Sequence, residues 1–479
     1  MAAHGFEDVK KFALLEKQMN LFNRKYNEFY YWQHIRYTVF VSLFGTRYEN
    51  TKAEKELKKR SLFESVYILL RAIYENLKLF FHLLKKRKYE LVFIREPVSS
   101  DKFFDVWEFP DDINVVNYRI VLYTKDHKPG DLYLTWPRMK TAFKRRLYKK
   151  FEINKKDEVE KAFLIELVNT MIKEFGQCIS ADEMEQMIYD YKIEDECYSQ
   201  LYYKIFRSTG CKAIAFVCYY SNELFPAQRI AKELGIKTIE FQHGVINNHI
   251  EYWFEDTRGE HNYMPDYILT FGEIHNSWIK LPKGEKAVSV GYPFQEKCIG
   301  ELKDVVPNEK EIIIYPESNP VFEDVVNSFV SSITKLGYHV VMKMHPQEAV
   351  NVEIWYPILS KNTNIEIVTS QKEGIYYWLK RAKHHVMAST TVGLEAVSME
   401  HVNVCIATMI PHDMVKCLLD WNIARGFSSA DELVELVLNP IDMKTDEAEA
   451  ARSILWEKKS AKNMTNFFKA LSANEWKSE

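Results

Sequence analysis

The stretch EIIIYPESNPVFEDVVNSFVSSITKLGYHVVMKMHP, residues 311 to 346, decides the fold. Ile312-Ile313-Ile314-Tyr315 is a short apolar run that reads as a strand buried on both faces. It breaks at Pro316-Glu317-Ser318. A helical pattern over 321 to 335 follows, and a second apolar run, His339 to Met344, stops at His345-Pro346. Strand, helix and strand at this spacing form a parallel βαβ unit.

The pattern continues outward. Downstream, Ile365 to Val368 ends at Thr369-Ser370, and helix 373 to 381 leads to His385-Val386-Met387. That run ends at Ser389-Thr390-Thr391, before helix 392 to 399 and strand 402 to 406. Upstream of a charged linker at 301 to 310, a similar alternation starts near 212. Ala213 to Val217 precedes helix 226 to 234, Lys237 to Phe241 ends at Gln242-His243-Gly244, and Tyr267 to Thr270 ends at Phe271-Gly272. Val288 to Val290 then ends at Gly291-Tyr292-Pro293. Leu91 to Ile94, Val115-Val116 and Arg119 to Tyr123 supply earlier strand candidates, and 141 to 207 reads as mostly helical.

Two doubly wound α/β domains are therefore expected, split near 300. The division is a helical, aromatic-rich extension at 1–60, a first Rossmann-like domain with a helical insertion at 61–300, a second at 301–440, and carboxy-terminal helices at 441–479. The extension over 8 to 50 reads as helical and packed on several sides. Ser61 reads as an N-cap with Glu64 as its capping-box partner. The stripe Phe63, Val66, Tyr67, Leu70, Ile73, Tyr74, Leu77 and Phe81 reads as the apolar face of an amphipathic helix ending at Lys85 to Lys88.

Composition excludes several classes. The chain has 479 residues and a formal charge of −3, against the basic excess of a nucleic-acid binder. Its seven cysteines stand singly, as reduced thiols do. No secretory signal opens it and no apolar run is long enough to span a bilayer, so a cytoplasmic location is expected. There is no Walker A loop, no GxGxxG after a strand, no HExxH and no Cys/His cluster, so neither a dinucleotide cofactor nor a metal is expected.

Ligands of open parallel sheets bind beyond the carboxyl ends of the strands. There the second block delivers Glu317, Ser318, His345, Ser370, Ser389, Thr390 and Thr391; Lys343, which alternates away, is a further donor or phosphate ligand or is simply solvated. Hydroxyls and free amides at a strand-to-helix turn can hold a phosphate, and Glu395, one turn on, could reach a ribose hydroxyl. Taken alone, Ser389 or Thr390 is as readily a helix cap. His345 can donate to a phosphate or a base carbonyl, or be a plain surface histidine. In the first block, Gln242, His243 and Gly244 end a strand. His243 suits a general base, or a cation for a diphosphate. His249 and Tyr252 could line the same site. Arg95, Asp101 and Lys102 would face an acceptor, although an exposed loop explains them too. His412 reads as a loop residue.

Taken in order, Ile239 to Val245, Pro265 to Gly272, Gly291-Tyr292-Pro293, Lys343 to Pro346 and Ser389 to Thr391 resemble bacterial capsule and lipopolysaccharide glycosyltransferases. Those enzymes have the GT-B fold, two Rossmann-like domains facing a cleft. The resemblance covers about 210 to 430. The His-Pro and Ser/Thr elements are similar to those of sialyltransferases and Kdo transferases, where they bind the CMP part of the donor. The Gln-His-Gly element is similar to that of CDP-glycerol polyol-phosphate transferases. The acidic Asp/Glu-Asp/Glu-Gly motif of sialyltransferases is absent.

The resemblance implies a metal-independent transferase that uses no cofactor. Its partners would be an activated sugar donor and a glycan or lipid-linked glycan acceptor, with no nucleic acid. His243 and His345 would be catalytic. Two alternatives stand beside this: a polyol-phosphate or sugar-phosphate transferase using a CDP-polyol or phosphoribosyl diphosphate, and a non-catalytic glycan-binding module. The basic clusters Lys85 to Lys88 and Arg145, Arg146, Lys149 and Lys150 could touch the inner face of the cytoplasmic membrane, or simply be solvated.

Overall fold

The computed structural model describes residues 5–44, 62–95, 107–120, 132–151, 157–247, 249–255, 263–346, 348–410, 412–441 and 443–474. Ser61, Asp101, Lys102 and the strand candidate at 121 to 123 lie outside these residues. Contacts divide the chain into two units. The first comprises 1–270, 279–288 and 462–479; the second comprises 271–278 and 289–461.

The first unit holds strands β1 (Leu91–Arg95), β2 (Val115–Arg119), β3 (Leu132–Tyr133), β4 (Ala213–Val217), β5 (Lys237–Phe241), β6 (Tyr267–Thr270) and β7 (Lys286–Ser289). Their order across the sheet is β3-β2-β1-β4-β5-β6-β7. The pairings from β3 through β6 are all parallel. The second unit holds β8 (Asn308–Ile314), β9 (His339–Lys343), β10 (Ile365–Val368), β11 (Ala382–Met387), β12 (Asn403–Ala407) and β13 (Arg425–Phe427), in the order β10-β9-β8-β11-β12-β13. Each sheet thus runs outward from its first strand in one direction, then restarts beside that strand and runs the other way. This is the doubly wound Rossmann order, with a switch point between β1 and β4 in one sheet and between β8 and β11 in the other. The central strands are uninterrupted apolar runs because helices cover both faces: every residue of β4 and of β12 is buried.

The long helices of the first unit start and stop where local chemistry dictates. Helix Glu158–Phe175 is capped by Asp157, whose side chain accepts from Glu160 N–H, and ends at Gly176 with φ 88°. Helix Ala181–Thr209 begins with a Ser180/Glu183 capping box and ends at Gly210 with φ 60°. The amino-terminal region is not one helix. Helices Phe6–Gln18 and Trp32–Leu43 flank a two-strand hairpin, Lys25–Tyr26 with Phe29–Tyr30. Asn27 and Glu28 turn it with φ 46° and 64°, the left-handed pair of a tight hairpin. That turn explains why the aromatic spacing over 8 to 50 fits no single helix face. Its core, with Phe12, Tyr31, Trp32 and Phe40, packs on Leu164, Leu167 and Met171 of the helical insertion.

Helix Leu62–Leu84 departs from the sequence reading in its orientation. The apolar stripe exists, but its members Val66, Tyr67, Leu70, Ile73, Tyr74, Leu77 and Phe81 are exposed. Ala72, Glu75 and Leu79 are the residues turned inward. Periodicity defines a face but not the side on which the protein lies.

Candidate functional site

In the first unit the candidates gather after β5. Gln242 is fully buried and closes its own turn: its N–H donates to Leu269 O at 2.9 Å and its Nε2 to Gly244 O at 2.8 Å. A Cβ on Gly244 would meet nothing within 4 Å. Packing therefore makes no demand for glycine there, and its absence of a side chain leaves bare backbone open. His243 is half-buried. Its Nε2 lies 3.3 Å from the Tyr220 hydroxyl, while Nδ1 is buried without a hydrogen-bond partner. Burial, helped by nearby His249 and opposed by Glu251, pushes the imidazole down to about 4. At neutral pH the ring is uncharged, so it can accept a proton but offers no positive charge to a diphosphate.

His249 is half-buried, with Nδ1 3.7 Å from Glu251 Oε2. Tyr252 is not a surface residue: it is buried and donates its hydroxyl to Glu240 Oε1 at 2.8 Å. Arg95 ends β1, its guanidinium 5.3 Å from the Phe93 ring, and lines an open pocket of ≈ 300 Å³ with Trp107 and Phe109.

Behind His243 lies a buried polar layer that the sequence reading passed over. Glu240 is fully buried on β5. Its Oε1 accepts from Tyr219 N–H at 3.1 Å as well as from Tyr252, and Oε2 has no partner. Burial outweighs those bonds and raises its carboxyl to about 8. Tyr219 donates its hydroxyl to Glu251 O. Arg36, brought in by helix Trp32–Leu43, donates to Ile250 O and Trp253 O at 2.6 Å each. Its other N–H groups grip both oxygens of Glu16 at 2.6 and 2.7 Å. The amino-terminal region thus braces the turn that carries His249. A cavity with ≈ 50 Å³ of room for water, lined by Arg36, Tyr37, Tyr219, Tyr220 and Glu251, sits in this layer. One signal was available in the sequence: a carboxylate interrupting the apolar run Thr238-Ile239-Glu240-Phe241.

In the second unit the candidates collect around the switch point. Glu317 follows β8; burial raises its carboxyl, with nearby Glu348 adding to the rise and the Ser389 backbone at the end of the adjacent β11 opposing it. Ser318 Oγ donates to Trp355 O at 3.1 Å. Ser389, Thr390 and Thr391 are half-buried, and Thr390 Oγ1 accepts from Val392 N–H at 3.4 Å. The helix that follows, Val392–Ala396, is only five residues long, so its dipole contributes less than that of a full helix. Glu395 accepts from the Tyr376 hydroxyl at 3.2 Å. Its charge also raises Tyr292 and Tyr315, after burial.

His345 stands exposed at the end of β9, with its carbonyl accepting from Glu348 and Ala349 N–H. Lys343 is not solvated. It is buried and gives its three protons to Ser370 O, Gln371 Oε1 and Met344 O at 3.0, 3.0 and 3.3 Å. Burial lowers its ammonium. It pins the turn after β10. Gly272 and Gly291 answer to packing: a Cβ would lie 2.6 Å from Ile454 O at one and 2.7 Å from Ser460 Cβ at the other. Among the described residues no group of three or more His, Cys, Asp or Glu is placed to hold a metal ion.

No protein-family model matches the chain, and no curated protein matches it. Solved structures do. The UDP-GlcNAc 2-epimerase of Methanocaldococcus jannaschii is similar at 11% identity, over 80% of this chain and 99% of that one, with a TM-score of 0.46. A complex of S. aureus MnaA with UDP is similar at 8% identity, over 81% and 97%, with a TM-score of 0.47. Acinetobacter baumannii MurG is similar at 11% identity, over 80% and 99%, with a TM-score of 0.41. At these scores the likenesses assign no activity.

Proposed function

We propose that this chain is a metal-independent glycosyltransferase of GT-B type. It moves a sugar from an activated, nucleotide-linked donor to a growing surface polysaccharide, of capsule or O-antigen kind. The second unit holds the donor and the first holds the acceptor. One observation carries the reading. At the switch point of the second sheet, where diverging crossovers open a crevice, Glu317 meets the Ser389 amide and the hydroxyls of Ser389, Thr390 and Thr391 stand half-exposed beside it. Amides and hydroxyls of this kind suit a phosphate and a ribose. His345, exposed one strand over, supplies a donor for the leaving phosphate. His243, uncharged at neutral pH, is the base that takes the acceptor hydroxyl's proton through Nε2, the nitrogen 3.3 Å from the Tyr220 hydroxyl, because Nδ1 is closed off by burial.

The test is thermal shift of the purified protein against CMP, CDP, UDP, GDP, dTDP and phosphoribosyl diphosphate. A ligand that binds only the folded state raises Tm. Stabilisation by one nucleotide, lost in His345→Ala, is the expected result. No shift with any of them would sink the nucleotide-sugar reading. A phosphodiester in the product, seen by phosphorus NMR, would instead identify polyol-phosphate transfer. Tight oligosaccharide binding with no nucleotide binding would identify a binding module.

A further inference from the structure

Helix Leu62–Leu84 is 23 residues long and lies on the body of the first unit with its apolar side outward. Leu70, Tyr74, Phe80, Phe81 and Leu84 are each more than half exposed, at 62, 63, 56, 58 and 59%. A soluble surface normally shows such residues singly, and a contiguous run of them marks an interaction face. The inward side is fixed by Ala72, Glu75 and Leu79, so the helix cannot simply roll over without exposing that glutamate's neighbours and burying new ones. No helix among the described residues is long and apolar enough to cross a membrane.

Charge identifies what meets this face. Four consecutive cations, Lys85, Lys86, Arg87 and Lys88, follow the helix, and all are exposed. Helix Trp136–Phe151 packs against it and exposes Trp136 (47%) and Phe143 (63%) together with Arg138, Arg146 and Lys149. Residues 62–88 and 136–151 together carry thirteen Lys or Arg against two Glu, in a chain whose net charge is −3; Lys144 and Arg145 among them pair with Glu196, Asp190 and Glu194 of helix Ala181–Thr209. Positive charge is therefore concentrated where the apolar surface is exposed, and it is balanced by acid elsewhere. A second protein surface of apolar character would not need that cationic rim. An interfacial helix does: apolar side chains enter the acyl boundary, lysine and arginine reach lipid phosphates, and tryptophan sits at headgroup level.

We propose that helix Leu62–Leu84, with Lys85 to Lys88 and the exposed edge of helix Trp136–Phe151, docks this protein flat on an anionic membrane surface. The inference is independent of which reaction the chain catalyses.

Flotation of the full-length protein with vesicles tests it. The wild type floats with mixed phosphatidylcholine and phosphatidylglycerol vesicles, floats poorly with phosphatidylcholine alone, and is released by salt. Leu70→Glu, Leu77→Glu and Phe81→Glu combined, and separately Lys85→Gln, Lys86→Gln, Arg87→Gln and Lys88→Gln combined, each weaken binding about tenfold or more. All these side chains are exposed, so circular dichroism and Tm stay at wild-type values in both variants. Failure of the wild type to float, or equal flotation by the triple glutamate variant, overturns the proposal. So does a dimer in analytical ultracentrifugation that the triple variant converts to monomer, because the face then serves self-association.

Discussion

Replacing Glu240 with glutamine should make the first unit more stable, although the residue is fully buried and hydrogen-bonded. Its carboxyl rises from 4.5 to about 8 in the folded chain. At pH 7 the native state therefore keeps a proton that the unfolded state has released. Stability is full below the unfolded pKa of 4.5 and declines as pH climbs from there to about 8, because folding must take up that proton. At ~1.36 kcal/mol per pH unit, the cost at pH 7 is ~3 kcal/mol, and it grows by ~3.5 kcal/mol between pH 5 and pH 8. Glutamine is the neutral shape-mate of the protonated acid. Its carbonyl still accepts from Tyr219 N–H and the Tyr252 hydroxyl, and its amide replaces the unpartnered Oε2. Glu240→Gln should thus gain most of that ~3 kcal/mol at pH 7 and remove the pH slope. Two units need not unfold together, so a global melt is the wrong assay. Native-state hydrogen exchange of the amides of Lys237–Phe241, corrected for intrinsic rates at each pH, reads the local stability. A variant less stable than wild type at pH 7, or a wild-type-minus-variant difference flat from pH 5 to 8, would refute the neutral-carboxyl reasoning.

Three further outcomes follow from the same structure. If neutral His243 is the base, kcat/KM is flat through neutral pH and falls only as pH drops through about 4, instead of near the 6.5 of an ordinary histidine. His243→Gln should lower turnover ~10²–10⁴-fold, and a limb near 6.5 would contradict the burial argument. Arg36→Met strands Glu16 as an unpaired buried charge and frees the carbonyls of Ile250 and Trp253, costing ~3–5 kcal/mol. Adding Glu16→Gln should recover part of that loss in urea unfolding, and strict additivity of the two changes would count against the pair. Gly272→Ala should destabilise the second unit by ~2 kcal/mol or more, because its backbone is extended at φ −170° and the clash with the carbonyls of Leu455 and Ile454 sets the cost. An unchanged calorimetric Tm would show that segment 454–455 can yield.

The alternating strands and helices were legible because continuous apolar runs of three to five residues, ended by turn residues, have one economical solution in a doubly wound sheet. Ile312 to Ile314, Val340 to Met342 and Ala213 to Val217 are such runs, and each lies in a strand. The strand ends, and with them Glu317, His345, His243 and Ser389, were legible for the same reason. Contacts between residues far apart in sequence were not. Arg36 bracing the carbonyls at 250 and 253, Lys343 consumed by the turn at 370, and Tyr252 buried on Glu240 each depend on which segments lie side by side. Exposure of the 62–84 stripe is of the same kind. An amphipathic period states that a helix has two faces, and only packing of Ala72, Glu75 and Leu79 decides which one the protein keeps for itself. Local chemistry along the chain is carried by short-range propensity and pattern. The charge state of Glu240 and His243 belongs to the tertiary structure alone, because desolvation exists only once distant segments have excluded water.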